Sequence, residues 1–383
     1  MMDFRLSPEH EELVRTLRQF ARKELATRSR EWDRTGEFPW DAWKRMGELG
    51  LLGLRAPAAY GGQEADLLTA GLAMEEIARG DFGCTYGIQL AGLAGEIIGT
   101  NGAEEVKRRW LPPTTRGEMV IALALTEPSV GSDAANLVCR AVRDGDHYVM
   151  TGEKSGISLG MSAQAAIVFA RTSGQRARGV TAFLVDLSLP GVSRSALRDM
   201  GSHAVQRAVL SFDGVRIPAN HRLGDEGTGF YQIMKGFDFN RIFIALACLG
   251  TAQESLEETM RYVKERKAFG KMLANYEGVS FPIAEAATHI EAARWLCYRA
   301  LWLADHGDPY TKEASMVKWW APKLAVETIH QCLLFHGHYG YTDEFPFEQR
   351  MRDVIGLEIG DGSAEIMKVI VARELMGRET LPY

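Results

Sequence analysis

Asp361 has the clearest chemical setting in the chain. Leu357-Glu358-Ile359-Gly360-Asp361-Gly362-Ser363-Ala364-Glu365-Ile366 places a carboxylate between two glycines, just ahead of a serine and a helix-forming run. Missing Cβ atoms let another molecule approach the backbone closely, and the free N–H groups of a helix start favour an electron-rich partner. A carboxylate held there is suited to taking a proton. The same letters also make an ordinary Asp-Gly turn followed by a serine N-cap, so the segment needs support from the rest of the chain.

Other residues offer that support. Asp238-Phe239-Asn240-Arg241 puts an acid and a base on one helical face, which serves either a ligand or a surface ion pair. Arg266-Lys267-Ala268-Phe269-Gly270-Lys271 joins a cation suited to phosphate with an aromatic suited to a flat ring. Hydroxyls and exposed amides crowd Ala124-Leu125-Thr126-Glu127-Pro128-Ser129-Val130-Gly131-Ser132-Asp133, a composition that fits a polar ring edge or a phosphate but also an ordinary surface turn. His330, His336 and His338 do not share a helical face, which argues against a metal. No G-x-G-x-x-G follows an expected strand and no Walker sequence occurs, which argues against a nicotinamide fold or an ATPase.

The elements that must position these residues follow from periodicity. Ser7-Pro8 reads as N-cap and first helical residue, with Leu13, Val14, Leu17, Phe20, Ala21 and Leu25 at helical spacing. Helical patterns recur over 41–51, 67–78, 90–98 and 103–110, broken at Pro57, Gly61-Gly62 and Gly80. Short runs rich in β-branched and aromatic residues follow at 120–125, 147–151, 165–170, 181–187 and 208–212. The 3.6 period returns over 242–260, 279–303, 314–334 and 366–376. The expected architecture is therefore α+β and multidomain: an all-helical domain over 1–118, a β domain over 119–228 and a helical bundle over 229–383. A cleft where the three meet is the expected ligand site.

Composition narrows the function. The 383 residues, 46% of them hydrophobic, can bury a large core, and a net charge of −6 with interspersed signs leaves no basic face for nucleic acid or an anionic membrane. The opening Met-Met-Asp-Phe-Arg-Leu-Ser-Pro lacks the apolar core of a signal peptide, and no later run is apolar enough to span a bilayer. Five scattered cysteines, Cys84, Cys139, Cys248, Cys297 and Cys332, suggest neither a disulfide framework nor a redox pair. A soluble, cytoplasmic protein acting on small molecules is expected.

All ten residues of the 124–133 stretch in order resemble the first signature of the acyl-CoA dehydrogenase family of flavoproteins, and further matches cover essentially the whole chain. The resemblance implies an N-terminal helical domain, a middle antiparallel β-barrel or sandwich and a C-terminal four-helix bundle. It implies FAD as cofactor, with Leu125 and Thr126 at the flavin and Ser132 at the junction of cofactor and substrate. Gly152-Glu153-Lys154-Ser155-Gly156-Ile157-Ser158 looks like the segment packed on the flavin ring, contributing Ile157 and Ser158, although Gly156 stands where the family has tryptophan. Asp238 and Arg241 would contact the CoA part of the substrate. Arg266 and Phe269 would engage FAD bound mainly to a neighbouring subunit, which implies a homo-oligomer, a tetramer by family expectation. Glu277 and Leu334 depart from the glutamines usual at that contact. Gly337, Ser363 and Glu365 complete the implied cofactor set, and Gly360 and Gly362 line the substrate.

The implied reaction removes two hydrogens across Cα–Cβ of an acyl-CoA thioester, the α-proton to a carboxylate and the β-hydride to flavin N5, with an N–H beside the base polarising the carbonyl. Family members carry the base either at the position of Asp361 or at that of Asn240, and Asn240 cannot serve. Asp is shorter than the usual Glu by one C–C bond, about 1.5 Å. Gly360 replaces a large residue beside it, so the pocket widens where the base retreats. Phe335-His336-Gly337-His338-Tyr339-Gly340-Tyr341 and the 359–366 stretch are similar to the alicyclic branch of the family, the cyclohexanecarboxyl-CoA dehydrogenases. Electron-transferring flavoprotein is the implied electron acceptor. The competing expectations are a nitroalkane-oxidase-like flavin oxidase and a non-catalytic flavoprotein that binds DNA or protein.

Overall fold

The computed structural model describes residues 5–380. Residues 1–4, which open the first expected domain and the stretch read for a signal peptide, and residues 381–383, which close the last expected domain, lie outside the described residues. Six helices come first: α1 Pro8–Phe20, α2 Ala26–Thr35, α3 Trp40–Glu48, α4 Leu67–Ala78, α5 Thr85–Asn101 and α6 Glu104–Thr115. Eight strands follow: β1 Ile121–Ala124, β2 Arg140–Asp144, β3 His147–Ile157, β4 Ala165–Arg171, β5 Val180–Asp186, β6 Val192–Ala196, β7 Ala208–Pro218 and β8 Arg222–Leu223. The larger helices of the remainder are α7 Gly229–Glu265, α8 Glu277–Asp305, α9 Thr311–Phe335, α10 Phe347–Ile355 and α11 Ala364–Met376.

The chain forms two compact units. One holds the residues up to Asp33, Leu67–Thr85 and the chain from Asp238 onward; the other holds Arg34–Asp66 and Tyr86–Phe237. The expected first domain is thus shared between them, and α7 contributes residues to both.

In the first unit α1 starts as its sequence dictates, with the Ser7 hydroxyl accepting from the His10 N–H at 3.2 Å and Pro8 at the first helical position. Helix α4 is buried almost all round, which buries two carboxylates that must find partners. Glu76 takes two hydrogen bonds from Arg18, and Glu75 takes one each from Arg294 and the Tyr298 hydroxyl. Helix α9 packs against α8, α10 and α11, so its middle is apolar and enclosed.

In the second unit the sheet runs β6-β7-β3-β2-β4-β5-β8, with β1 beside β4. Most pairings are antiparallel, but β1 lies parallel to β4 and β2 meets β4 in parallel at Arg140 and Arg171. Strands β4 and β5 are buried on both faces and read as continuous apolar runs, as covered central strands do. Ile167, Phe169, Val180 and Leu184 pack with Ile97, Trp110 and Ile233, so helices cover this part of the sheet. Strand β3 runs six residues past its expected end, with register shifts between Met150 and Gly152 and between Lys154 and Ile157.

Candidate functional site

The Asp361 loop is built from a helix that stops and one that starts. Helix α10 ends at Ile355, a tight turn covers Gly356–Glu358, and α11 begins at Ala364 behind Ser363, whose hydroxyl accepts from the Ile366 N–H at 3.4 Å. Asp361 itself has φ +56°, a left-handed conformation that Asp tolerates better than most side chains. Gly362 follows at φ +104°, a conformation that strains any residue with a Cβ, while the atom such a Cβ would meet first is the flexible end of Met367 at 2.6 Å. Gly360 is different. A Cβ there would meet only the Gly356 carbonyl oxygen at 3.3 Å and Leu357 Cδ1 at 4.0 Å. The Ser363 and Glu365 N–H groups donate to no acceptor among the described residues, as expected of a helix start.

Helix α7 brings Asn240 to this loop. Its Nδ2 lies 3.5 Å from Asp361 Oδ2, at the long end of hydrogen bonding, and its Oδ1 is buried without a partner among the described residues. One turn of the same helix holds Asp238 and Arg241 in an ion pair at 2.6 Å, with the second Asp238 oxygen accepting from Thr311 at 2.7 Å. Arg241 is buried and its Nε has no described partner. Burial pulls its pKa below the usual guanidinium value, opposed by Asp238 and Asp361. These two residues are therefore mostly within the protein, not the exposed pair that an acid and a base on a helix surface usually make.

One participant escaped sequence reasoning. Lys318 of α9 is fully buried, and its ammonium donates to the Leu357 carbonyl at 2.6 Å and the Gly362 carbonyl at 3.0 Å. Burial pushes its pKa down to about 8. Asp361, Cys248 and Glu358 pull it upward while Arg241 repels it. The available signal was a lone cation in Ala314-Ser315-Met316-Val317-Lys318-Trp319-Trp320-Ala321, a run otherwise without charge.

The hydroxyl-bearing loop belongs to the other unit. Leu125 is buried at the end of β1, Thr126 is exposed, and Glu127 and Val130 close a tight turn by exchanging backbone hydrogen bonds. A buried ion pair underlies this turn. Lys154 donates to Glu127 at 2.8 Å and to the Leu125 carbonyl at 2.9 Å, while Glu127 also accepts from the Val138 and Cys139 N–H groups. Ser155 N–H donates to the Thr126 carbonyl at 2.9 Å, which joins the loop to β3. Ile157 is buried, Ser158 half-buried and Ser132 exposed. Gly156 has φ +71° and no atom within 4 Å of where a Cβ would stand.

A third group lies on the first unit. The strand pair Lys267–Ala268 and Lys271–Met272 forms a hairpin whose tip is Phe269-Gly270, both with positive φ, as a tight hairpin turn requires. Phe269 is 99% exposed, far outside the normal range for a large apolar side chain. Arg266, Glu277 and Gly337 are exposed as well. His336 is instead buried in an aromatic stack with Tyr262.

The family profiles for the acyl-CoA dehydrogenase N-terminal, middle and C-terminal domains match residues 7–118, 122–215 and 227–376. The chain is 36% identical to the probable acyl-CoA dehydrogenase YngJ of Bacillus subtilis, over 98% of this chain and 100% of that protein. It is 35% identical to CarC, a subunit of the caffeyl-CoA reductase-Etf complex of Acetobacterium woodii, over 96% of this chain and 98% of that one. Among solved structures, butyryl-CoA dehydrogenase from Megasphaera elsdenii matches with a TM-score of 0.93 at 32% identity, covering 98% of this chain and 100% of that one.

The chain belongs to the acyl-CoA dehydrogenase family, with the helical, β and helical domains of that fold, and is an FAD-dependent oxidoreductase. The hydroxyl loop fits that cofactor. The Thr126 side chain is exposed and Ser158 half-buried, and the space beside Gly156 is open. No helix among the described residues is long and apolar enough to cross a membrane.

Proposed function

We propose that this enzyme dehydrogenates an alicyclic acyl-CoA, such as cyclohexanecarboxyl-CoA, with Asp361 as the base. The observation that carries this reading is the pairing of Asn240 with Asp361 across 3.5 Å. The two positions at which the family resemblance expects a base are neighbours, and only one of them holds a carboxylate. Asp361 accepts the proton from Cα and becomes a carboxylic acid as the Cα=Cβ bond forms. FAD, when bound, supplies the acceptor for the hydride from Cβ. The helix-start amides at 363–365 offer donors to a thioester oxygen. The side-chain space left by Gly360 supports a substrate that is broad at Cα.

In the same reading Leu125, Thr126, Ser132, Ile157 and Ser158 hold the flavin, and Asp238 and Arg241 orient the CoA moiety. Arg266 and Phe269, with Glu277 and Gly337, reach the cofactor of a second copy in a homo-oligomer. The exposed Phe269 tip supports that assignment, because an aromatic in water at a hairpin tip gains only if another surface covers it. Electron-transferring flavoprotein as acceptor is supported by the similarity to a subunit of an Etf complex.

A short straight-chain substrate is the second reading, favoured by the similarity to a butyryl-CoA dehydrogenase. Anaerobic flavin bleaching separates the two. Cyclohexanecarboxyl-CoA is expected to bleach the flavin at least tenfold faster than butyryl-CoA, and the reverse order would overturn the alicyclic assignment. Asp361→Asn is expected to keep FAD and lose bleaching by either thioester.

A further inference from the structure

We propose that Lys318 is a positioning residue for the base, its ammonium clamping the carbonyls on both sides of Asp361 so that the loop holds one geometry. The inference rests on Asp361 being the base. Its geometric support is independent of that reading. Leu357 lies four residues before Asp361 and Gly362 one residue after, and both carbonyls end on the same buried nitrogen. The loop between them has no regular ladder of its own, and it contains two consecutive left-handed residues. Backbone of that kind is held by whatever satisfies its carbonyls.

A lysine is a costly way to make two hydrogen bonds in an apolar helix face, since burial penalises its charge. Nearby carboxylates favour keeping the charge. Asp361 and Glu358 come from the loop, Cys248 and Arg241 from α7, and the carboxylates oppose the burial penalty. Lys318 thus fixes the loop that carries Asp361 by holding the carbonyls on both sides of it.

Lys318→Met and Lys318→Gln in the FAD-loaded enzyme test this. In Lys318→Met, hydrogen exchange in peptides spanning 357–363 is expected to speed up at least tenfold, with α9 beyond residue 321 unchanged. Turnover should fall at least tenfold with KM altered less than threefold. Lys318→Gln, a neutral donor, should recover part of the exchange protection and part of the turnover. Unchanged exchange at 357–363 in Lys318→Met overturns the clamp, and so does loss of FAD from both variants, which would make Lys318 a residue of overall stability. If Asp361→Asn retains turnover the base assignment falls, whereas the exchange measurement still decides whether the clamp exists.

Discussion

Replacing Lys154 by Met removes the cation from a buried pair and leaves its partner in place. Lys154 is fully buried and the Glu127 side chain is 1% exposed, so water cannot take over the lost contact. Glu127 retains the Val138 and Cys139 N–H donors, while the Leu125 carbonyl loses its lysine. An uncompensated buried charge costs about 3–5 kcal/mol, and the two retained amides place the expectation near the lower end, at about 3 kcal/mol. Burial already drags the Lys154 pKa down, so part of the pair's attraction is offset in the native protein. Urea unfolding of the FAD-loaded enzyme, followed by circular dichroism and by flavin release, measures the cost. High salt should not mimic the substitution, because a buried pair is poorly screened. Glu127→Gln combined with Lys154→Met should recover about 1–2 kcal/mol relative to Lys154→Met alone, since the stranded charge is then gone. A loss below about 1 kcal/mol in Lys154→Met, or strictly additive costs in the double variant, would refute the account of this loop as held by a buried charge pair.

Gly362→Ala puts a Cβ on a residue held at strongly positive φ, and should destabilise by about 1–3 kcal/mol and reduce turnover; thermal unfolding and steady-state rates check both. Asp361→Glu should favour hexanoyl-CoA over the cyclic ester only when Gly360 is enlarged in the same chain, which kinetics on single and double variants will show as coupling. Lys318 sheds its proton near pH 8 in the folded state and near 10.5 when unfolded, so the unfolded chain binds more protons in that window and stability rises with pH across it. The rise is at most about 3 kcal/mol, is complete above pH 10.5, and should vanish in Lys318→Met in urea titrations from pH 7 to 10.5. Phe269→Ala should leave the unfolding midpoint of the dilute protein unchanged while lowering FAD affinity and weakening self-association in sedimentation runs.

The helices were legible because their apolar faces repeat at 3.6 residues and their ends carry ordinary signals, as Ser7-Pro8 and Ser363 do. The missed strands lack such faces. Strand β2 is Arg140-Ala141-Val142-Arg143-Asp144 with one buried residue, and β6 at the sheet edge has none, so neither shows an apolar run. Helix α10 has a one-sided face but spans only nine residues, Phe347–Ile355, fewer than three turns over which a 3.6 repeat could show. Asp361 stood out through the two glycines beside it. Asn240, 121 positions earlier, was linked to it only by resemblance to a family, because spacing carries no information about contacts between distant helices.

Lys154 and Lys318 were invisible for a deeper reason. A lysine reads as a side chain reaching for solvent, yet both end on backbone carbonyls of irregular loops, Leu125 in one unit and Leu357 with Gly362 in the other. Helices and sheets satisfy their own carbonyls, whereas a loop that must hold reactive or binding groups in one conformation cannot. An ammonium with three donors supplies what such a loop lacks, and each is opposed by a carboxylate that limits the cost of burial, Glu127 for Lys154 and Asp361 for Lys318. In each case the cation lies behind a loop that bears a candidate functional group in front, the Thr126 hydroxyl in one and the Asp361 carboxylate in the other. A buried lysine without a helical partner is therefore a signal for a fixed loop, and through the loop for the site it carries.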